Sequence, residues 1–170
     1  MTTDTLKQRP SGVTFRETVR PSDIEDVSAL VRSTGFFTDT ETAVAVELVE
    51  TALAEPASSG YHFIFAERAG GGVLGYTCFG PAPMTRGTFD LYWVVVHPDS
   101  QRSRIGSTLV AKAEDRIRSM GGRRVFVETS SRGQYHPTRL FYERSGYSPA
   151  AFLEDYYTEG DGKVIYVKRL

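Results

Sequence analysis

The residues best equipped for chemistry in this 170-residue chain lie in one run. It reads Val94-Val95-Val96-His97-Pro98-Asp99-Ser100-Gln101-Arg102-Ser103-Arg104-Ile105-Gly106-Ser107-Thr108-Leu109. An apolar strand passes through a short turn into a helix whose first residues are small or basic. Such a helix start presents unpaired backbone N–H groups and the positive end of the helix dipole. That is the chemistry of phosphate binding. Gly106 lets the backbone approach an anion, Ser107 and Thr108 bring hydroxyl donors, and Arg102 and Arg104 bring positive charge. The run lacks the Gly-Lys-Ser/Thr of a P-loop and is not a GxGxxG turn.

The elements that must position this run follow from periodicity and punctuation. Thr14 to Val19 alternates weakly and predicts a first strand. Ser22 and Glu25 form a capping-box pattern ahead of Ile24, Val27, Leu30 and Val31, the buried stripe of a helix that Gly35 ends. Thr38 and Glu41 repeat the pattern ahead of a second helix, with Val44, Leu48, Val49, Ala52 and Leu53 on its inner side, up to Pro56. Tyr61 to Glu67 and Val73 to Phe79 are strands joined by the glycine-rich turn Arg68 to Gly72. Phe89 to Val96 is nearly all apolar, which suits a central strand covered on both faces. A helix over about Ile105 to Met120 follows, closed by Gly121-Gly122. Then come a strand at Arg124 to Thr129, a short helix at Pro137 to Ser145 ended by Gly146, and strands near Ala151 to Tyr157 and Val164 to Lys168. The order β-αα-βββ-α-β-α-ββ predicts one α/β or α+β domain over residues 13–170 behind a flexible arm at 1–12.

Composition narrows the function classes. Lys and Arg number 20 against 21 Asp and Glu, so a net charge of −1 gives no overall field to gather nucleic acid or an anionic membrane. The even total hides a split. Between Phe36 and Glu67 stand six acids and no Lys or Arg, whereas Gln101 to Ser145 holds ten basic residues against four acids, a difference of +6. Those arginines are either solvated helix faces or the docking side for a small polyanion. The lone Cys78 cannot form an internal disulfide, and His62, His97 and His136 match no zinc spacing, so no metal is expected and a reducing cytoplasm fits. No apolar stretch is long enough to span a bilayer.

Gln101, Ile105 and Gly106 match the Gln/Arg-x-x-Gly-x-Gly/Ala signature of the GNAT superfamily of acyl-CoA-dependent N-acyltransferases, which this sequence resembles. Arg104 stands where the family has its first glycine, a position where a positive φ costs an arginine more. Phe141-Tyr142-Glu143-Arg144-Ser145-Gly146-Tyr147 resembles the family's later F-Y-E-x-x-G-F/Y segment. The resemblance spans about residues 13 to 170 and implies a central mixed sheet flanked by helices.

It also implies roles. The backbone of Val94, Val95 and Val96 would pair with the pantetheine arm of acetyl-CoA, and Gln101, Arg102, Ser103, Arg104, Ile105, Gly106 and Ser107 would hold its pyrophosphate. Thr138 stands where the family usually has an alanine in the loop beside the cofactor, and Tyr135 replaces the common asparagine. Tyr142 matches the tyrosine that protonates the departing thiolate. Freeing the lone pair of an amine of pKa about 10.4 at pH 7 costs about 4.6 kcal/mol, so a base is wanted. Asp90 coincides with the base position of histone-type members, Glu128 lies on the neighbouring strand with a longer reach, and His97 and His136 are weaker candidates. In this family the region between the first strand and the second helix forms the acceptor wall, which here carries Phe36, Phe37, Asp39 and Glu41.

The activity implied is direct acetyl transfer from acetyl-CoA to a primary amine in a ternary complex, the acceptor being a small molecule or a peptide. A catalytically silent acyl-CoA-binding sensor is the alternative. No nucleic-acid or membrane partner is expected, and a homodimer is compatible with the family.

Overall fold

The computed structural model describes residues 12–170, so the expected arm at 1–12 lies, apart from Gly12, outside the described residues. The elements are β1 (Val13–Arg16), α1 (Asp23–Ser33), α2 (Asp39–Ala54), β2 (His62–Arg68), β3 (Val73–Pro81), β4 (Thr88–Val96), α3 (Ile105–Ser119), β5 (Arg124–Ser130), α4 (His136–Arg144), β6 (Ser148–Thr158) and β7 (Asp161–Arg169). Single 3₁₀ turns at Pro98–Ser100 and Gly133–Tyr135 precede α3 and α4. The order is the one expected.

The seven strands form one sheet in the order β1-β2-β3-β4-β5-β7-β6, antiparallel throughout except for the parallel pair β4 and β5. Alternation in β2 divides the interior. Phe63 and Phe65 face one core with Val27, Val31, Ala45 and Val49 of α1 and α2, while Ile64 and Ala66 face the other with Leu109, Ala113 and Ile117 of α3 and Tyr142 of α4. The sheet is therefore covered on both faces, which is why β4 reads as a nearly continuous apolar run.

Two local expectations are corrected. Ser22 is helical (φ −63°, ψ −21°) and its side chain caps nothing. The carboxylate of Asp23 accepts from Arg20 N at 2.6 Å instead, and pairs with the Arg16 guanidinium that lies over the Phe65 ring. A fully buried carboxylate needs those donors more than a serine hydroxyl could supply them. In α2, Val44 is exposed and Ala45 takes the inward position. The Thr38–Glu41 capping box forms as expected.

Candidate active site

The site begins with an irregularity in β4. Cys78 pairs with Trp93 but Phe79 pairs with Leu91, so Tyr92 is an extra residue in the strand, a β-bulge. Its effect on side-chain direction is plain. Phe89 and Leu91 face the α3 core, yet beyond the bulge Trp93 and Val95 face the α1–α2 core while Val94 and Val96 turn to α3.

At the same level the sheet parts. The β4–β5 ladder ends at Leu91 and Val127, after which β4 pairs only with β3 and β5 only with β7. The edge of β4 from Tyr92 to Val96 thus faces a wedge whose other wall is Glu128 to Ser130. A cavity of about 520 Å³ fills this wedge. Phe36 and Phe37 close it from the α1–α2 turn, Tyr135, Thr138 and Tyr142 from the α4 side, and Tyr157 and Asp161 from the β6–β7 end. Tyr135 ties two of those walls together, its hydroxyl donating to Phe36 O at 3.3 Å with the two rings 5.7 Å apart.

Below the wedge lies the turn into α3. Arg102 (φ 62°) and Arg104 (φ 65°) both adopt the left-handed conformation, with Ser103 between them. The helix has no side-chain cap, and its first turn carries no acidic residue. Among the described residues, none of the backbone N–H groups from Arg102 to Ser107 donates to a protein acceptor; the next, Thr108 N, bonds Arg104 O. Consecutive unpaired donors around left-handed residues form an anion-binding concavity, reinforced here by the helix dipole. Arg104 thus adopts the conformation expected to cost an arginine most, at about 1–2 kcal/mol.

Individual side chains depart from expectation here. Ser107 donates its hydroxyl to Arg104 O at 3.0 Å, Ser103 donates to Ser100 O, and Gln101 reaches only to Val96 O at 3.5 Å, so these groups shape the turn. A Cβ on Gly106 would meet Phe141 at 3.5 Å and Val96 at 3.6 Å. A side chain there would make only ordinary van der Waals contact, so Gly106 marks where α3, α4 and β4 come together without being required by their packing.

The candidate acid and bases separate cleanly. Tyr142 and Glu128 both line the cavity, whereas Asp90 does not. Tyr142 is buried, which holds its hydroxyl protonated well above its ordinary pKa. Glu128 keeps its side chain half exposed and pairs through Oε2 with Lys163 Nζ at 2.6 Å. Asp90 is half-buried, and burial followed by the charge of Glu128 raises its carboxyl pKa. His97 turns Nδ1 toward Asp99 N at 3.3 Å, capping the 3₁₀ turn, and His136 sits exposed at the start of α4. Cys78 is buried in the α1–α2 core, outside the cavity lining, and burial pushes its thiol pKa well up.

Four features were not legible in the sequence: the bulge at Tyr92, the ion pair from Lys163 to Glu128, the Arg132–Asp161 pair at 3.0 Å, and Tyr157 at the cavity mouth. Each depends on which strand lies beside which. The two motifs flagged in the sequence do converge, since α3 and α4 meet where Gly106 packs against Phe141.

Among the described residues no group of three or more His, Cys, Asp or Glu side chains could hold a metal, and no helix is long and apolar enough to cross a membrane. Comparison with the curated proteins gives no match. The acetyltransferase (GNAT) family profile matches residues 25–147. Among solved structures, a GNAT-family protein from Desulfovibrio desulfuricans is 47% identical, with 92% of this chain and 98% of that one covered and a TM-score of 0.90. An aminoglycoside 6′-N-acetyltransferase complexed with coenzyme A is 19% identical (92% and 96% covered, TM-score 0.73). A Salmonella typhimurium protein solved with its cofactor acetyl-CoA is also 19% identical (94% and 95% covered, TM-score 0.73). At that identity the last two speak for the fold alone. With its sheet parted beside a bulged central strand, its open N–H concavity before α3, and a profile match over most of its length, this chain belongs to the GNAT family of acetyltransferases.

Proposed function

We propose that this chain transfers an acetyl group from acetyl-CoA to a primary amine by direct attack in a ternary complex. The observation that carries this reading is the conjunction of three features: the N–H concavity at Arg102–Ser107, the β4 edge at Val94–Val96 left unpaired by β5, and the cavity that this edge lines together with Gln101, Glu128 and Tyr142. The concavity fits a pyrophosphate, and the β4 edge fits an amide-bearing arm that pairs as a strand would. Structures of this fold solved with coenzyme A or acetyl-CoA support the same choice of cosubstrate. When bound, acetyl-CoA supplies the activated thioester.

The chain's own residues then have distinct tasks. An amine arrives as an ammonium ion, and Glu128 is the carboxylate positioned on the cavity wall to take its proton, directly or through one water. Backbone N–H groups beside the bulge, near Val95 and Val96, polarise the thioester carbonyl. Tyr142 donates its proton to the departing sulfur and is reprotonated by the second proton shed from the attacking nitrogen as the amide forms; burial raises the Tyr142 pKa and so favours the protonated hydroxyl. Asp90, outside the cavity lining, takes no part. Cys78 is buried and outside the cavity lining, which supports direct transfer over a cysteinyl acyl-enzyme.

The test is a panel of amines with detection of released thiol. Release stoichiometric with N-acetylated product, lost in Tyr142→Phe while coenzyme A still binds, is the expected result. Binding of acetyl-CoA with no thiol released across the panel would make the chain an acyl-CoA sensor instead.

A further inference from the structure

The acceptor cavity is lined by more aromatic surface than the transfer chemistry needs. Phe36, Phe37, Tyr92, Trp93, Tyr135 and Tyr157 all face it, and Phe37 and Trp93 pack with their centroids 5.0 Å apart at 59°. Three of these rings count among the exposed large apolar side chains: Phe36 at 42%, Tyr92 at 39% and Tyr157 at 49%. Aromatic surface left open inside a concavity is surface that a ligand covers.

Charge says what kind of ligand. Elsewhere in the described chain, cations sit over the faces of Phe15, Phe65, Tyr147 and Tyr156. Tyr157 has Lys163 at 5.8 Å. The other five cavity rings carry no protein cation among the described residues. The acids on the lining are Glu41, Glu128 and Asp161, against the single cation Arg132. Asp161 is taken by Arg132 and Glu128 by Lys163, while Glu41 accepts only from Thr38 N at 2.7 Å and Thr38 Oγ1 at 2.9 Å. The cavity is therefore rich in rings that carry no protein cation, net negative, and without a fixed carboxylate free of both cation and cap. Ring quadrupoles attract cations under those conditions.

We propose that this cavity recognises its acceptor as an organic ammonium ion held mainly by ring faces, Trp93 and Phe37 among them, so that a permanently charged quaternary ammonium is a ligand that is never acetylated. The proposal rests on reading the cavity as the acceptor site. It adds that recognition precedes deprotonation: the charged form binds, and only then does Glu128 accept the proton. It also sets the substrate class, an amine on a compact apolar body, since rings reward desolvated alkyl-ammonium groups more than heavily hydrated polyols.

Trp93 is the sole tryptophan of the chain, so its emission reports on the cavity without any turnover. The full chain is titrated with choline and, separately, with choline's neutral isostere in which carbon replaces the ammonium nitrogen. Choline is expected to change Trp93 emission saturably, with a dissociation constant about ten-fold or more below that of the isostere. Phe37→Leu, checked for unchanged circular dichroism, should weaken choline several-fold. In turnover assays choline should compete with the amine and not with acetyl-CoA. Equal affinity for choline and its isostere overturns the proposal, as does an acetylated amine that choline fails to displace; in the latter case the transferase reading stands. Choline binding with no amine acetylated anywhere in the panel supports ring recognition and overturns the transferase reading. If choline neither binds nor competes and no amine is turned over, both fall.

Discussion

Lys163 Nζ lies 2.6 Å from Glu128 Oε2 and 3.7 Å from the centre of the Tyr156 ring, so the carboxylate on the cavity wall is anchored by an ammonium group that is itself nearly buried. The two residues stand on adjacent strands, with Lys163 opposite Ser130 in the β5–β7 ladder. Glu128 thereby keeps Oε2 on Lys163 while its half-exposed side chain lines the wedge.

This pair has a stability consequence with a definite sign. Burial pushes the Lys163 pKa down, but the hydrogen bonds to Glu128 and Tyr156 and the charge of Glu128 outweigh it and hold the ammonium above its ordinary value. A folded-state pKa above the unfolded one contributes stability that is fully present below the unfolded value, near 10.5, and is lost as pH rises through the folded value. Glu128→Gln should remove this alkaline dependence. It should also destabilise the chain by about 1–3 kcal/mol near neutral pH, because it leaves a buried ammonium with a weaker partner. Lys163→Met should cost less, since it removes the charge that needed solvation. Urea unfolding across the alkaline range measures all three.

Tyr142→Phe should lower kcat by about 10²–10⁴-fold with little change in coenzyme A affinity, the range for loss of a general acid. Burial raises the Tyr142 pKa, so its proton is retained through the neutral and mildly alkaline range. The wild-type rate should therefore show no basic limb below the ordinary tyrosine value, and an alkaline fall at lower pH would assign the acid elsewhere. Full kcat in the mutant would reduce Tyr142 to packing against Tyr147 and Tyr166.

Asp90 and Glu128 should part company in a paired experiment. Glu128→Gln removes the acidic limb of the kcat/KM profile, whereas Asp90→Asn leaves it in place. Burial and then the Glu128 charge raise the Asp90 carboxyl pKa, so its ionised form is disfavoured by folding. That penalty is absent at low pH, grows as pH rises from the unfolded value of 3.8, and is complete above the folded value. Asp90→Asn should accordingly stabilise the chain at neutral pH and not at acid pH, as thermal unfolding at the two extremes would show.

The left-handed arginine at the start of α3 allows strain and charge to be separated. Arg104→Gly should stabilise the fold by about 1 kcal/mol through relief of the positive φ, while Arg104→Ala should not. Both should weaken coenzyme A by about 1–2 kcal/mol if the guanidinium meets a phosphate. Calorimetric titration that shows equal affinity for wild type and both mutants would return Arg104 to a solvated surface role. Gly106→Ala should leave the fold intact, because the added Cβ meets Phe141 at 3.5 Å and Val96 at 3.6 Å, ordinary contact distances.

The sequence alone determined the order of elements and the turn whose N–H groups suit a phosphate, because both follow from local rules: apolar period, glycine and proline punctuation, and small residues after a buried strand. It also determined that α3 and α4 carry the two informative motifs. The tertiary structure decided what lies across from what. A bulge at Tyr92 shows no pattern in a nearly all-apolar run, yet it reverses which face every later side chain of β4 takes. That Glu128 lines the cavity and Asp90 does not depends on where the β4–β5 ladder ends, a matter of strand register. Lys163 meets Glu128 across 35 positions of chain only because β7 inserts between β5 and β6. Ser22 failed as a cap for the same reason: Arg16, seven residues ahead of Asp23, folds back to bind that carboxylate, a contact that helix-start patterns do not contain.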